Sequence, residues 1–202
     1  MTRNLYLASQ SPRRLALLRQ IGLTPTVLPL RGSAGRADVD ETPYAEEAGA
    51  DYVVRLARIK AEAGARVVQA RHLPAWPILA ADTTVTLYGK ILGKPRDELE
   101  ARDMLRTYSG RTHAVFTGIA VAHSGQIHTA LSESQVTFRR LSEEEISAYI
   151  ASGEPFDKAG AYGIQGRAAI FIEHLTGSYS GVMGLPLYET AELLKSTGFA
   201  CL

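Results

Sequence analysis

The chain has 202 residues, 46% of them hydrophobic and 21% charged, the composition of an ordinary globular protein long enough for one sizeable core or two small lobes. A formal net charge of +1 argues against a surface that holds nucleic acid by overall charge. The single cysteine, Cys201, excludes an intramolecular disulfide, and the start MTRNLYLASQSPRR lacks the apolar core of a signal peptide; with no run apolar enough to span a bilayer, the expected location is the cytoplasm.

Taken in chain order, the apolar spacing and the Gly, Pro and Ser punctuation predict alternating strands and helices. NLYLAS is a first short strand. Ser11-Pro12 has the form of a helix start, serine as N-cap and proline as first helical residue, and the helix continues through RRLALLRQI to Gly22. TPTVLPL is a second strand. A long helix is expected from Glu41 to about Gln69, opened by Thr42-Pro43, with Val53, Leu56 and Ala57 at helical spacing. WPILAADTTVTLY is a buried strand ending in a polar cluster, followed by a turn at Tyr88-Gly89-Lys90 and the helix DELEARDMLRTYSG. HAVFTGIAVAH and QIHTALSESQVTFRR are two strands joined at Ser124-Gly125. SEEEISAYIAS is a helix in which Ser142 and Glu145 have capping-box spacing, the segment from Glu154 to Gly166 is a glycine-rich loop, AAIFIEHL is a last strand and LPLYETAELLKS a last helix. The pattern is α/β without strict βαβ repetition. A long twisted mixed sheet with flanking helices is expected, in a single domain over residues 1–202.

Several groups of residues have the chemistry of an anion site. A helix N-terminus presents free N–H groups, and Ser9, Ser11, Arg13 and Arg14 add hydroxyls and guanidinium groups beside it. Both arginines are expected to face an anion rather than the core. Lys60 falls on or beside the buried stripe of the long helix, and Lys94 follows a turn; each also has an ordinary role, as a snorkelling side chain or a surface charge. Asp82 is expected at the end of an apolar strand, where open α/β sheets place their sites and from where a carboxylate can hold a cation or take a proton from water. Glu41 begins the long helix in this reading. The loop GEPFDKAGAYGIQG carries Asp157, Lys158, Tyr162 and Gln165 among its glycines, which permit close approach to a ligand. The histidines, at 72, 113, 123, 128 and 174, have no zinc-type spacing. Any metal is therefore expected to be hard, Mg²⁺ or Mn²⁺, held by carboxylates and substrate phosphates. No Walker loop or dinucleotide fingerprint is present.

Taken together, LASQSPRR, YVVRLARIKA, AADTTV, LGKPRD, SGRTHAVFTG, GEPFDKAGAYGIQG and GSYSGVMGLPL resemble the Maf family of nucleoside triphosphate pyrophosphatases, in order and over nearly the whole chain. The resemblance implies two lobes around a cleft in a Maf/ITPase-like fold, and hydrolysis between the α and β phosphates to a nucleoside monophosphate and pyrophosphate. It also implies a divalent cation, a homodimer, and a link to septum inhibition in cell division. By the same resemblance Asp82 is the proton acceptor. Ser9, Arg13, Arg14, Glu41, Lys60, Lys94 and Lys158 bind substrate, Glu41 and Asp82 serve the metal, and Arg13, Thr83 and Gln165 set substrate choice. The form DKAGAYGIQG is similar to the subgroup acting on dTTP and UTP, removing non-canonical or excess nucleotides. Two alternatives stand beside it: the same chemistry on modified nucleotides such as 7-methyl-GTP or pseudo-UTP, and a nucleotide-responsive regulator of division. Gly181 occupies a position where many members have asparagine. Stable nucleic-acid binding and membrane partners are not expected.

Overall fold

A computed structural model describes residues 4–30, 39–199 and 201. The elements are β1 (Tyr6–Leu7), α1 (Pro12–Gln20), β2 (Thr26–Val27), α2 (Gly49–Ala70), β3 (Ile78–Leu87), β4 (Lys90–Leu92), α3 (Glu98–Tyr108), β5 (Thr112–His123), β6 (Gln126–Phe138), α4 (Glu143–Ala151), β7 (Ile172–Thr176), α5 (Tyr179–Met183) and α6 (Leu187–Ser196). They form a 7-stranded sheet in the order β2-β1-β3-β5-β6-β7, with β4 paired to β3 off that path. β1 runs parallel to β2 and β3, while the remaining pairs are antiparallel. The sheet is therefore mixed, as the sequence predicts.

Local chemistry explains where boundaries moved. The long helix begins at Gly49, not at Glu41. Ahead of it the Asp40 carboxylate accepts from the Thr42 N–H at 2.9 Å and the Glu47 carboxylate from the Tyr44 N–H at 3.0 Å. Short polar side chains there satisfy the backbone in turns, in competition with a helix. Tyr88 and Gly89 both have positive φ, 52° and 77°, the geometry of a tight hairpin. That hairpin folds β4 back onto β3. The loop from 154 to 166 contains two 3-10 turns, and a third at Arg167–Phe171 delays β7 to Ile172. α5 was not foreseen: it has five residues, capped by Ser178 Oγ, which accepts from the Gly181 N–H at 3.0 Å. Too few turns are present for a helical period to register.

Apolar clusters gather at the two ends of the long strands. Val85, Leu105, Tyr108, Val136, Phe138, Ile150 and Phe171 belong to one, the core of the second lobe, the first lobe being built on the clusters at the opposite end. At the other end Leu7, Leu18, Leu79, Ala81, Ile119 and Leu194 pack on one sheet face, and Tyr6, Ala57, Ala61, Ile78 and Ala80 on the opposite face, beneath α2. α2 lies so close to β5 that a Cβ on Gly118 would sit 2.4 Å from the Val53 carbonyl oxygen. Only glycine permits that approach. β1 pairs with Ile78 and Leu79, β4 with 85–87, and β5 covers the other edge of β3 throughout. Asp82 is thus not at a strand end, as the sequence suggested, but in the middle of β3, which runs on to Leu87 because β5 pairs with it throughout. Between β1 and β4, around Asp82, the other edge of β3 is unpaired among the described residues, midway between the clusters.

Candidate active site

That opening in the sheet leads into a cleft of about 1310 Å³. Because side chains alternate along a strand, Asp82 points toward α2 and Thr83 toward α1 and α5. Both faces of the sheet thus supply the same cleft.

On the α2 side, Tyr52, Leu56 and Lys60 recur at four-residue spacing and share a stripe. Lys60 Nζ lies 2.7 Å from Asp82 Oδ1 and 2.6 Å from Glu41 Oε1. Asp82 is 8% exposed. Burial pushes its carboxyl above the usual carboxylate range, with the charges of Lys60 and Arg14 opposing that push. The Tyr52 hydroxyl donates to the Glu41 carbonyl at 2.9 Å, and its pKa is pushed up to about 12, chiefly by burial.

On the α1 side, the Ser11 cap and Pro12 start the helix as expected, so Arg13 and Arg14 leave its first turn. Arg14 Nε donates to the Gly184 carbonyl at 2.8 Å, Nη1 to Ser9 Oγ at 3.1 Å and Nη2 to Thr83 Oγ1 at 3.4 Å. Burial depresses the pKa of this guanidinium, against the opposing charge of Asp82. Arg14 is thus held by the protein on three sides rather than turned wholly outward, a correction to the expectation for this residue. Its planar fork still has an N–H left on each terminal nitrogen. Arg13 extends further and donates from Nη1 to Asp157 Oδ2 at 3.1 Å. The other oxygen of Asp157 pairs with Lys158, whose Nζ also donates to the Glu154 carbonyl at 2.8 Å. Burial pushes the Asp157 carboxyl up, but these two cations outweigh it and hold it below the usual range.

Ser9, Arg13, Arg14, Glu41, Lys60, Asp82, Thr83, Lys94, Lys158 and Gln165 all line this one cleft. Lys94 arrives on the chain after β4, and Gln165 on the loop between the second and third 3-10 turns. Sequence reasoning did not single out Tyr52, although its eight-residue offset from Lys60 was a usable signal. It also left the Gly184 carbonyl unmentioned and did not pair Asp157 with Arg13, contacts that no local pattern encodes.

Glu41 and Asp82 converge on one ammonium, so two hard carboxylates face one small volume. That donor set fits Mg²⁺ or Mn²⁺ bound through one or two carboxylates plus substrate oxygens. It does not fit a metal cage made by protein alone: among the described residues no group of three or more His, Cys, Asp or Glu is gathered for one.

A family model described as Maf-like protein matches residues 4–197. The chain belongs to the Maf family. The Maf match takes in every element around the cleft. A protein named dTTP/UTP pyrophosphatase from Dechloromonas aromatica (strain RCB) is 54% identical over 196 residues, covering 96% of this chain and 98% of its own. One of the same name from Aromatoleum aromaticum is 55% identical over 197 residues, covering 96% of each chain. Among solved structures, the Staphylococcus aureus Ham1 protein gives a TM-score of 0.46 at 14% identity over 67% of this chain and 71% of that one. Among the described residues no helix is long and apolar enough to cross a membrane.

Proposed function

We propose that this Maf-family chain hydrolyses dTTP and UTP between the α and β phosphates, giving the nucleoside monophosphate and pyrophosphate. The observation that carries the reading is the buried Asp82 carboxylate at the sheet opening, in a cleft lined by Arg13, Arg14, Lys60, Lys94 and Lys158. A triphosphate brings several negative charges, and these cations match them from both lobes. The names of the full-length relatives support the same activity.

The residues divide the chemistry. Asp82 takes a proton from the attacking water as general base. Lys60 holds that carboxylate in place, and Arg14, braced by Ser9, Thr83 and Gly184, presents its remaining N–H groups to phosphate oxygens. Arg13, Lys94 and Lys158 neutralise charge that builds on the departing pyrophosphate, the kind of electrostatic stabilisation that dominates such transfers. Glu41 and Asp82 are the side chains that hold Mg²⁺ or Mn²⁺ in this reading. When bound, the cation shields phosphate charge and acidifies water. Arg13, Thr83 and Gln165 govern the choice of nucleotide. A cytoplasmic homodimer completes the proposal.

The test is pyrophosphate release from dTTP, UTP, CTP, GTP and 7-methyl-GTP, with and without Mg²⁺ or Mn²⁺. Preference for dTTP and UTP with pyrophosphate as product is expected. Orthophosphate as the product, or preference for 7-methyl-GTP, overturns the reading.

A further inference from the structure

Thr83 and Thr117 sit directly opposite one another in the register of β3 and β5, and Thr117 in turn opposite Ser132 of β6. Thr117 is 1% exposed. Its hydroxyl donates to the Gly181 carbonyl of α5 at 2.8 Å. A threonine hydroxyl has one proton, and a carbonyl oxygen can only accept. The 2.9 Å contact between Thr83 Oγ1 and Thr117 Oγ1 therefore has one direction: Thr83 donates and Thr117 accepts. Arg14 Nη2, a donor only, approaches Thr83 Oγ1 from the other side at 3.4 Å. With its proton committed to Thr117 and one lone pair facing Arg14, Thr83 has only its second lone pair to show the cleft it lines.

We propose that Thr117 is a positioning residue that fixes the proton of Thr83, so that Thr83 meets the nucleotide as an acceptor and selects the imide N3–H of uracil or thymine. The inference rests on the proposed hydrolysis of dTTP and UTP. Sugar hydroxyls donate or accept by rotation and gain nothing from an acceptor of fixed direction. The imide N–H can only donate, and cytosine offers a bare N3 acceptor at the same place. Against cytosine, two lone pairs would face each other, and an unsatisfied polar pair is penalised more than a satisfied one is rewarded.

The same chain of bonds gives Gly181 a role through its carbonyl. A Cβ there would lie 3.1 Å from Ser178 Cβ and 3.2 Å from Ser132 Oγ, so glycine lets α5 settle on the polar row of the sheet. Ser134 assists, accepting from the Ser178 N–H at 3.0 Å.

The experiment compares kcat/KM for UTP, CTP and dUTP in the wild type and in Thr117→Val, Thr117→Ala and Thr117→Ser. Val keeps the shape and frees the Thr83 proton to turn into the cleft. The UTP to CTP ratio is expected to fall roughly three- to tenfold in the Val and Ala variants and to hold in the Ser variant, with the UTP to dUTP ratio unchanged. A UTP to CTP ratio that stays put in folded Val and Ala variants overturns the inference, as does a change confined to dUTP, which would assign Thr83 to the ribose. A wild type that releases no pyrophosphate from UTP instead overturns the functional reading, and this inference with it. The Ala variant, which removes the hydroxyl without placing a new methyl in its stead, keeps the comparison available if Val packs badly.

Discussion

Arg13 and Asp157 meet across the cleft, Nη1 to Oδ2 at 3.1 Å, from the first turn of α1 and from the 3-10 turn at Glu154–Asp157. With Lys158 on its other oxygen, this one carboxylate engages two cations of the cleft and offsets one of their two charges. Asp157→Asn should lower KM for UTP by about two- to fivefold, since partly exposed ion pairs contribute about 1 kcal/mol or less. A higher KM would show instead that Asp157 orients the two cations.

Replacing the neighbouring arginines should separate binding from folding. If Arg13 makes the proposed charge-assisted contact to phosphate, Arg13→Ala should slow hydrolysis about tenfold to a hundredfold, with an unchanged melting temperature. Arg14→Ala should slow hydrolysis as much and also lower the melting temperature, because Ser9, Thr83 and the Gly184 carbonyl lose their common partner. Equal melting temperatures in the two variants would contradict the bracing described for Arg14.

Asp82→Asn keeps the shape of the side chain and removes the proposed proton acceptor. A fall of about a hundredfold to ten thousandfold in kcat is expected, with UTP binding retained. Titration with Mg²⁺ and Mn²⁺ decides between roles: recovery at high metal would make Asp82 a ligand rather than the base.

Lys60 is the counter-charge of a nearly buried carboxylate, so Lys60→Met leaves Asp82 without its partner. Loss of one member of a buried pair costs about 3–5 kcal/mol. The double variant Lys60→Met with Asp82→Leu should regain most of that stability in urea unfolding while remaining inactive. A single variant as stable as the wild type would mean that water already screens the pair.

His113 lies in the second lobe's core, its Nε2 2.7 Å from the Tyr162 hydroxyl and its Nδ1 without a hydrogen-bond partner among the described residues. Burial lowers its pKa from 6.5 to about 4. The unfolded chain therefore takes up this proton first as pH falls, so the stability contributed by neutral His113 is complete above pH 6.5 and is lost progressively toward pH 4. A displacement of that size amounts to roughly 3 kcal/mol. Urea unfolding between pH 7 and 5 should show the decline, and His113→Gln should flatten it. An equal slope in the variant would assign the decline to other groups.

The long strands were legible because β3, β5 and β6 carry sustained apolar runs with clear turns between them, and α1 because its Ser-Pro start is a local signal. The true start of α2 was not legible, since Asp40 and Glu47 satisfy backbone N–H groups in a way that resembles a helix entrance. β4 and α5 are too short to show a period. Among site residues, the resemblance located the charged ones, whereas their bonding was hidden. Arg13 and Asp157 are 144 positions apart, and Thr117 and Gly181 are 64 apart. Such contacts are made by the register of the sheet and the docking of α5, neither of which any window of sequence contains.

β3 and β5 pass unbroken from one apolar cluster to the other, with β6 alongside. The two lobes are consequently expected to unfold together, since neither can melt without stripping half the ladder from strands that the other needs. Heat should unfold the chain in a single calorimetric step, with the van't Hoff and calorimetric enthalpies in agreement. The middle of β5, paired on both sides beneath the cleft, should be among the last places where amide hydrogens exchange, while β3 amides on the open edge exchange sooner.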